Sequence, residues 1–253
     1  MDLELVLAVD VSMSMDLDEQ RHQRQGYVSA FQSPAILQAI TSGPERRIAV
    51  TYMEWAGVGT QSVIVPWRVI GSAADAQAFA KALAEMPTRR ALMTSISGAL
   101  TESARLFDGN GLAGTRRVID ISGDGPNNIG GRVDRARDKV LAKGIVINGL
   151  PLQFKRPDGP YSYFDLPDLD KYYAACVIGG PGAFMIAVQD RKNFGQAIRQ
   201  KLLLEIADRQ PPAPAAPPAA LFKRAQFRVE GVKPKYDCLI GEKRWQQYQY
   251  EQW

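Results

Sequence analysis

Five side chains with hard oxygen donors stand at spacings that would let them meet: Asp10, Ser12, Ser14, Thr94 and Asp124. The apolar run LVLAVD ends on Asp10 and continues as VSMSMD, so the carboxylate and two hydroxyls recur every second residue. Extended backbone repeats with a period of two, which points all three toward one spot. Thr94 opens the apolar-striped stretch MTSISGAL, and Asp124 follows the apolar run RRVIDIS within ISGDGPNN. Two carboxylates and three hydroxyls suit Mg²⁺, or alternatively Mn²⁺ or Ca²⁺, and suit zinc or copper poorly. So few formal charges leave a divalent ion under-neutralised, and the site is expected to take a carboxylate from a protein partner as a further ligand.

Other chemistries fit less well. His22 is the only histidine and lies in the polar helical stretch DEQRHQRQ, the pattern of a solvated face. A nucleophilic triad would need such a base and a G-x-S-x-G elbow, which is missing. A phosphatase that begins with Asp after an apolar strand needs an acid/base Asp at position 12, which is Ser12. The loop GVGTQS lacks the third glycine of a dinucleotide fingerprint, and no G-K-[ST] follows a glycine loop. Two cysteines and one histidine are too few for a structural zinc site. Asn127 and Asn128 read as turn residues. Thr94 would serve equally as a helix N-cap, with Ser95 an alternative donor. A metal-assisted hydrolase using the same cation is the alternative reading, with Asp16, Asp18 or Glu54 as its general base.

The elements that must position these groups alternate between strand-like and helix-like runs, the sign of βαβ units around a mostly parallel sheet. Strands are predicted near 3–10, 47–54, 62–68, 116–122, 144–150 and 183–188. The clearest helix spans about 95–107, where Ile96, Leu100, Ala104 and Phe107 make one apolar stripe. Others are expected at 17–40, 73–86, 131–142 and 191–208, with a short one at 169–175. Only AGVGTQ separates the second and third strands, too little for a crossover, so these two should form an antiparallel hairpin at a sheet edge, where Pro66 is tolerated. The expectation is an α/β, doubly wound, six-stranded sheet with one antiparallel edge strand, followed by a C-terminal extension. Asp10, Thr94 and Asp124 would then share its carboxyl end, where such folds bind ligands.

Asp10, Ser12 and Ser14 as D-x-S-x-S, Thr94 in TSISGAL and Asp124 in SGDG resemble the metal-ion-dependent adhesion site of the von Willebrand factor A domain over residues 3–208. The stretches EWAG from Glu54, RRVIDISGDGPNN from Arg116, INGL from Ile147 and CVIGGPGAF from Cys176 resemble a bacterial subfamily of such domains without assigned function, whose members commonly carry a signal peptide. The resemblance implies a non-catalytic module that binds a divalent cation and a partner's Asp or Glu. In that family the serines usually bind the ion directly, and the aspartates often act through water. Gly123 departs from the pattern, which commonly has Thr or Ser before the D-G.

The chain of 253 residues carries 31 basic and 27 acidic groups, too even a balance to indicate nucleic acid as a partner. No apolar run reaches the length of a membrane span. Residues 210–219 hold five prolines and read as an extended spacer, which divides a domain at 1–209 from an extension at 220–253. That extension holds seven of the 22 aromatic residues and a net charge of +3. It is expected to pack back on its own domain or on a neighbour, with the alternation around Phe227 and Val229 able to add a strand to a sheet edge; a nucleic-acid or membrane-surface binder is the other reading of its rings and cations. In a third reading, the extension rather than the ion would bind the partner. Cys176 and Cys238 could bridge body and extension, and only an oxidising compartment would make that pair matter. A periplasmic or secreted location follows from the resemblance, with the cytoplasm as the alternative.

Overall fold

The computed structural model describes residues 1–154, 165–207 and 236–251. Its elements in chain order are β1 Leu3–Asp10, α1 Leu17–Phe31, α2 Pro34–Thr41, β2 Ile48–Trp55, β3 Ser62–Ile70, α3 Ala73–Ala84, α4 Ile96–Arg105, β4 Arg117–Gly123, α5 Val133–Ala142, β5 Val146–Pro151, α6 Leu169–Tyr172, α7 Phe194–Ile206 and α8 Ile240–Glu251. A π-helical turn, Tyr173–Val177, continues α6.

The sheet has the order β3-β2-β1-β4-β5. β1 pairs in parallel with β2 and β4, β4 in parallel with β5, and β3 closes one edge antiparallel to β2. β1 lies between crossovers that leave in opposite directions, and this switch point puts the ends of β1 and β4 side by side. Every residue of β1 is buried, as a central strand covered on both faces must be. Strand alternation sends Leu3, Leu5, Leu7 and Val9 into a core shared with α1, α2, α3 and α7. Val6 and Ala8 go to the opposite face, where α4, α5 and α6 supply Ile96, Leu100, Val133 and Tyr172.

Two expectations are corrected. The sheet has five strands, because residues 183–188 meet β5 only through isolated bridges at Gly149–Met185 and Leu152–Val188. Gly149 N–H donates to Phe184 at 3.1 Å, and Val188 N–H donates to Pro151 at 2.9 Å. A regular parallel ladder would next require the amide of residue 151 as a donor, and Pro151 has none. The helix expected over 17–40 is two helices, since Pro34 cannot supply an amide to an earlier turn and instead starts α2 as its first residue. The spacer at 210–219 and the possible strand at Phe227 and Val229 lie outside the described residues, whereas the chain's last described stretch is helix α8.

Candidate metal centre

The end of β1 delivers Asp10, which is fully buried. Its Oδ1 accepts the Ser12 amide at 2.7 Å, a tight turn that swings the following hydroxyls back over the strand end. Ser12 Oγ lies 2.7 Å from Ser14 Oγ, and Ser14 Oγ donates to Asp124 Oδ1 at 2.7 Å. Four of the five residues are therefore joined edge to edge. Thr94 lines the same cleft as Ser12, Ser14 and Asp124. It enters from the loop before α4, and Ser95, the alternative donor, instead caps α4 by accepting the Gly98 amide at 3.2 Å.

The surrounding loops are braced by residues that local sequence reading does not pick out. Arg90 donates to the carbonyls of Met13 and Met15 at 2.7 and 2.8 Å, which clamps the serine loop. Asn128 accepts the Thr94 amide through Oδ1 at 2.8 Å and donates its own amide to the Thr94 carbonyl at 2.9 Å. Asn127 Oδ1 accepts the Ser97 amide at 2.9 Å. The two asparagines are thus turn residues whose side chains lock the Asp124 loop to the Thr94 corner. Met93 holds a φ of 72°, a left-handed conformation unusual for a side chain with a Cβ, immediately before Thr94.

The glycine before Asp124 has a steric reason. A Cβ on Gly123 would lie 3.0 Å from Asp10 Oδ2, 3.0 Å from Tyr173 Oη and 3.2 Å from the Trp55 ring. The Thr or Ser of the resembling pattern would press on these neighbours and require them to shift by a few tenths of an ångström. Asp10 Oδ2 and Tyr173 Oη both lack a well-formed hydrogen bond among the described residues.

The electrostatics call for positive charge. Burial first, and the Asp124 carboxylate second, push the Asp10 acid well above the usual carboxylate range, and the backbone N–H groups of Ser12 and Asp124 offset this only in part. No arginine or lysine pairs with Asp10 among the described residues. A carboxylate kept in such a place costs free energy unless a cation joins it. The donor set, hydroxyls beside two carboxylates, fits a hard divalent ion.

The carboxylates nominated as a hydrolytic base are engaged elsewhere. Glu54 is buried and ion-paired with Arg24. Asp16 caps α1 in a reciprocal capping box with Glu19. Asp18 pairs with Arg21 at 2.9 Å on the exposed side of α1, beside His22. A larger hollow of about 680 Å³ lies at the opposite end of the strands, where Glu4 already accepts the Gly114 amide at 2.6 Å.

The extension beyond the spacer reaches this site. Cys176 and Cys238 form a disulfide with a Cα–Cα distance of 5.6 Å. It pins the start of α8 beside the π-helical turn. Glu242 Oε1 accepts from Asn127 Nδ2 at 2.7 Å, and Tyr236 Oη donates to Asp168 at 2.8 Å. α8 thus packs on the same loop that carries Asp124.

The fold is that of a von Willebrand factor A domain. Similar solved structures include the pilus adhesin SpaC of Lactobacillus rhamnosus GG, with 12% identity and a TM-score of 0.57 over 81% of this chain and 30% of that one. Proximal thread matrix protein 1 from the mussel byssus, solved with a zinc-occupied MIDAS motif, gives 12%, 0.60, 81% and 48%. A von Willebrand factor type A structure from Catenulispora acidiphila gives 12%, 0.55, 81% and 43%. The chain spans between 30% and 48% of the length of these neighbours. Residues 1–210 match the model of a family described as a protein of unknown function, DUF1194, and the chain belongs to that family. No curated protein matches it. Among the described residues no helix is long and apolar enough to cross a membrane.

Proposed function

We propose that this chain is a non-catalytic, divalent-cation-dependent protein-binding module whose ion is held by Asp10, Ser12, Ser14, Thr94 and Asp124 and completed by an acidic side chain of a partner. The observation that carries the reading is Asp10: a fully buried carboxylate with one oxygen lacking a well-formed hydrogen bond among the described residues, its main electrostatic neighbour a second carboxylate. A bound cation supplies the missing charge, and a neutral hydroxyl set leaves it enough residual charge to draw in an external carboxylate. The oxygen donors favour Mg²⁺, Mn²⁺ or Ca²⁺; the mussel matrix neighbour, described with zinc, keeps the choice of ion an experimental question. Adhesin and matrix proteins among the structural neighbours support a binding role over hydrolysis. In this reading residues 1–209 form the cation-binding domain, 210–219 a spacer and 220–253 an extension, and the Cys176–Cys238 disulfide favours a periplasmic or secreted setting.

Calorimetric titration with Mg²⁺ and Mn²⁺ tests this. Wild type should give saturable heat and a raised melting temperature, and Asp10→Ala should give neither. Absence of heat in wild type, or equal heat in the variant, overturns the reading.

A further inference from the structure

We infer that α8, carried beyond the proline spacer and clipped back by the disulfide, forms one wall of a recognition cleft, and that the cleft takes an acidic residue with a large apolar side chain next to it in a partner protein. The inference rests on the cation-binding reading and adds to it the chemistry of the partner's neighbouring residue.

The cleft has a volume of about 270 Å³. Ser14 and Thr94 belong to its polar floor, Leu92 and Met93 to one wall, and Trp245 and Tyr248 of α8 to the other. The two α8 rings stack with centroids 5.9 Å apart. Leu92 is 65% exposed. A single exposed leucine needs no explanation, but this one lines a cleft beside Met93, Trp245 and Tyr248. Val58 is 60% exposed. A Cβ on Gly57 would touch the Leu92 carbonyl at 2.7 Å, and one on Gly130 would meet Val58 Cγ2 at 3.2 Å, so the loops that follow β2 and β4 and precede α4 lie close together. Apolar surface gathered around a polar centre marks a binding face.

α8 is held in register beside these loops. Gly241 lies flat on the Asn127 carbonyl, where a Cβ would come within 2.1 Å. Glu242 is hydrogen-bonded to the same asparagine, and the disulfide fixes the segment leading into the helix. Arg244, whose guanidinium donates to the Asp165 carbonyl at 2.7 Å, adds positive charge to the cleft. The charge at the floor selects a carboxylate, and the walls select what stands beside it. Large rigid rings stacked side by side on one wall bury aromatic or long aliphatic side chains at low entropic cost.

The test uses the full, oxidised chain saturated with Mg²⁺ and three blocked dipeptide probes: N-acetyl-Asp-Phe-amide, N-acetyl-Asp-Gly-amide and N-acetyl-Gly-Phe-amide, titrated by NMR. Asp-Phe should bind about tenfold more tightly than Asp-Gly, the gain expected from burying one ring. Trp245→Ala should erase that ratio without changing the Mg²⁺ heat. Leu92→Ser, at a site too exposed to threaten folding, should reduce it. Normal Mg²⁺ heat with equal or absent binding of the two Asp probes overturns the cleft and leaves the cation reading standing. Equal binding of Gly-Phe and Asp-Phe likewise overturns it, showing an apolar groove indifferent to the ion. Absence of Mg²⁺ heat overturns both.

Discussion

Asp10 is in conflict with its surroundings in a way that makes the site testable one residue at a time. Burial and the Asp124 charge oppose its ionisation, and a cation reverses that opposition. In chelator, Asp10→Asn should therefore melt higher than wild type, by on the order of 1 kcal/mol of stability, while losing the upward shift that Mg²⁺ gives the native chain. Differential scanning calorimetry with and without Mg²⁺ measures both. Gly123→Ala should act oppositely: a methyl group pressed against Asp10, Tyr173 and Trp55 should cost about 1–3 kcal/mol and weaken Mg²⁺ binding together. The gathering of Asp10, Ser12, Ser14 and Asp124, with Thr94 on the same cleft, was legible because these residues follow or open strongly patterned elements. Arg90, Asn127 and Asn128 were not legible as braces, since their partners lie up to 77 residues away and no local pattern encodes the pairing.

At the scale of elements, β1 and the β2–β3 hairpin could be read directly, one from an unbroken apolar run and the other from a connection too short for a helix. The missing sixth strand turns on Pro151, whose lack of an amide matters only once its neighbour in space is known. The break before α2 turns on Pro34, which has no amide to continue the earlier turn and starts a new helix instead. The placement of α8 was hidden by the proline spacer, which erases the relation between sequence distance and position. Its attachment is the most sensitive point of the assembly. The disulfide spans 62 residues, so reducing it should remove up to about 4 kcal/mol of chain-entropy stabilisation. Hydrogen exchange on the reduced protein should show α8 amides exchanging faster while those of β1 and β4 stay protected; an unchanged α8 would show that Glu242 and Gly241 hold it without the disulfide.

For the molecule as a whole, the buried network between the sheet and α7 sets a dependence on pH. Lys201, fully buried, lies 2.5 Å from both Asp120 and Glu205. One ammonium faces two carboxylates. Burial first, and the Asp120 charge next, push Glu205 up to about 8 from its ordinary 4.5, against the pull of Lys201. The folded state therefore holds a proton that the unfolded chain releases at lower pH, so stability should decline as pH rises from about 4.5 through about 8 and level off beyond. Glu205→Gln should flatten this slope in thermal melts, and an unchanged slope would assign it to other groups. This network escaped sequence reading because Asp120 and Glu205 each sit within apolar runs that score as plain strand or helix.

Anomalous diffraction from a crystal of the full chain soaked in Mn²⁺ addresses the central claim most directly. One strong peak within bonding distance of Ser12 and Ser14, bordered by Asp10, Thr94 and Asp124, is the expected result. A map with no peak there, or with its strongest peak elsewhere on the protein, would contradict the account.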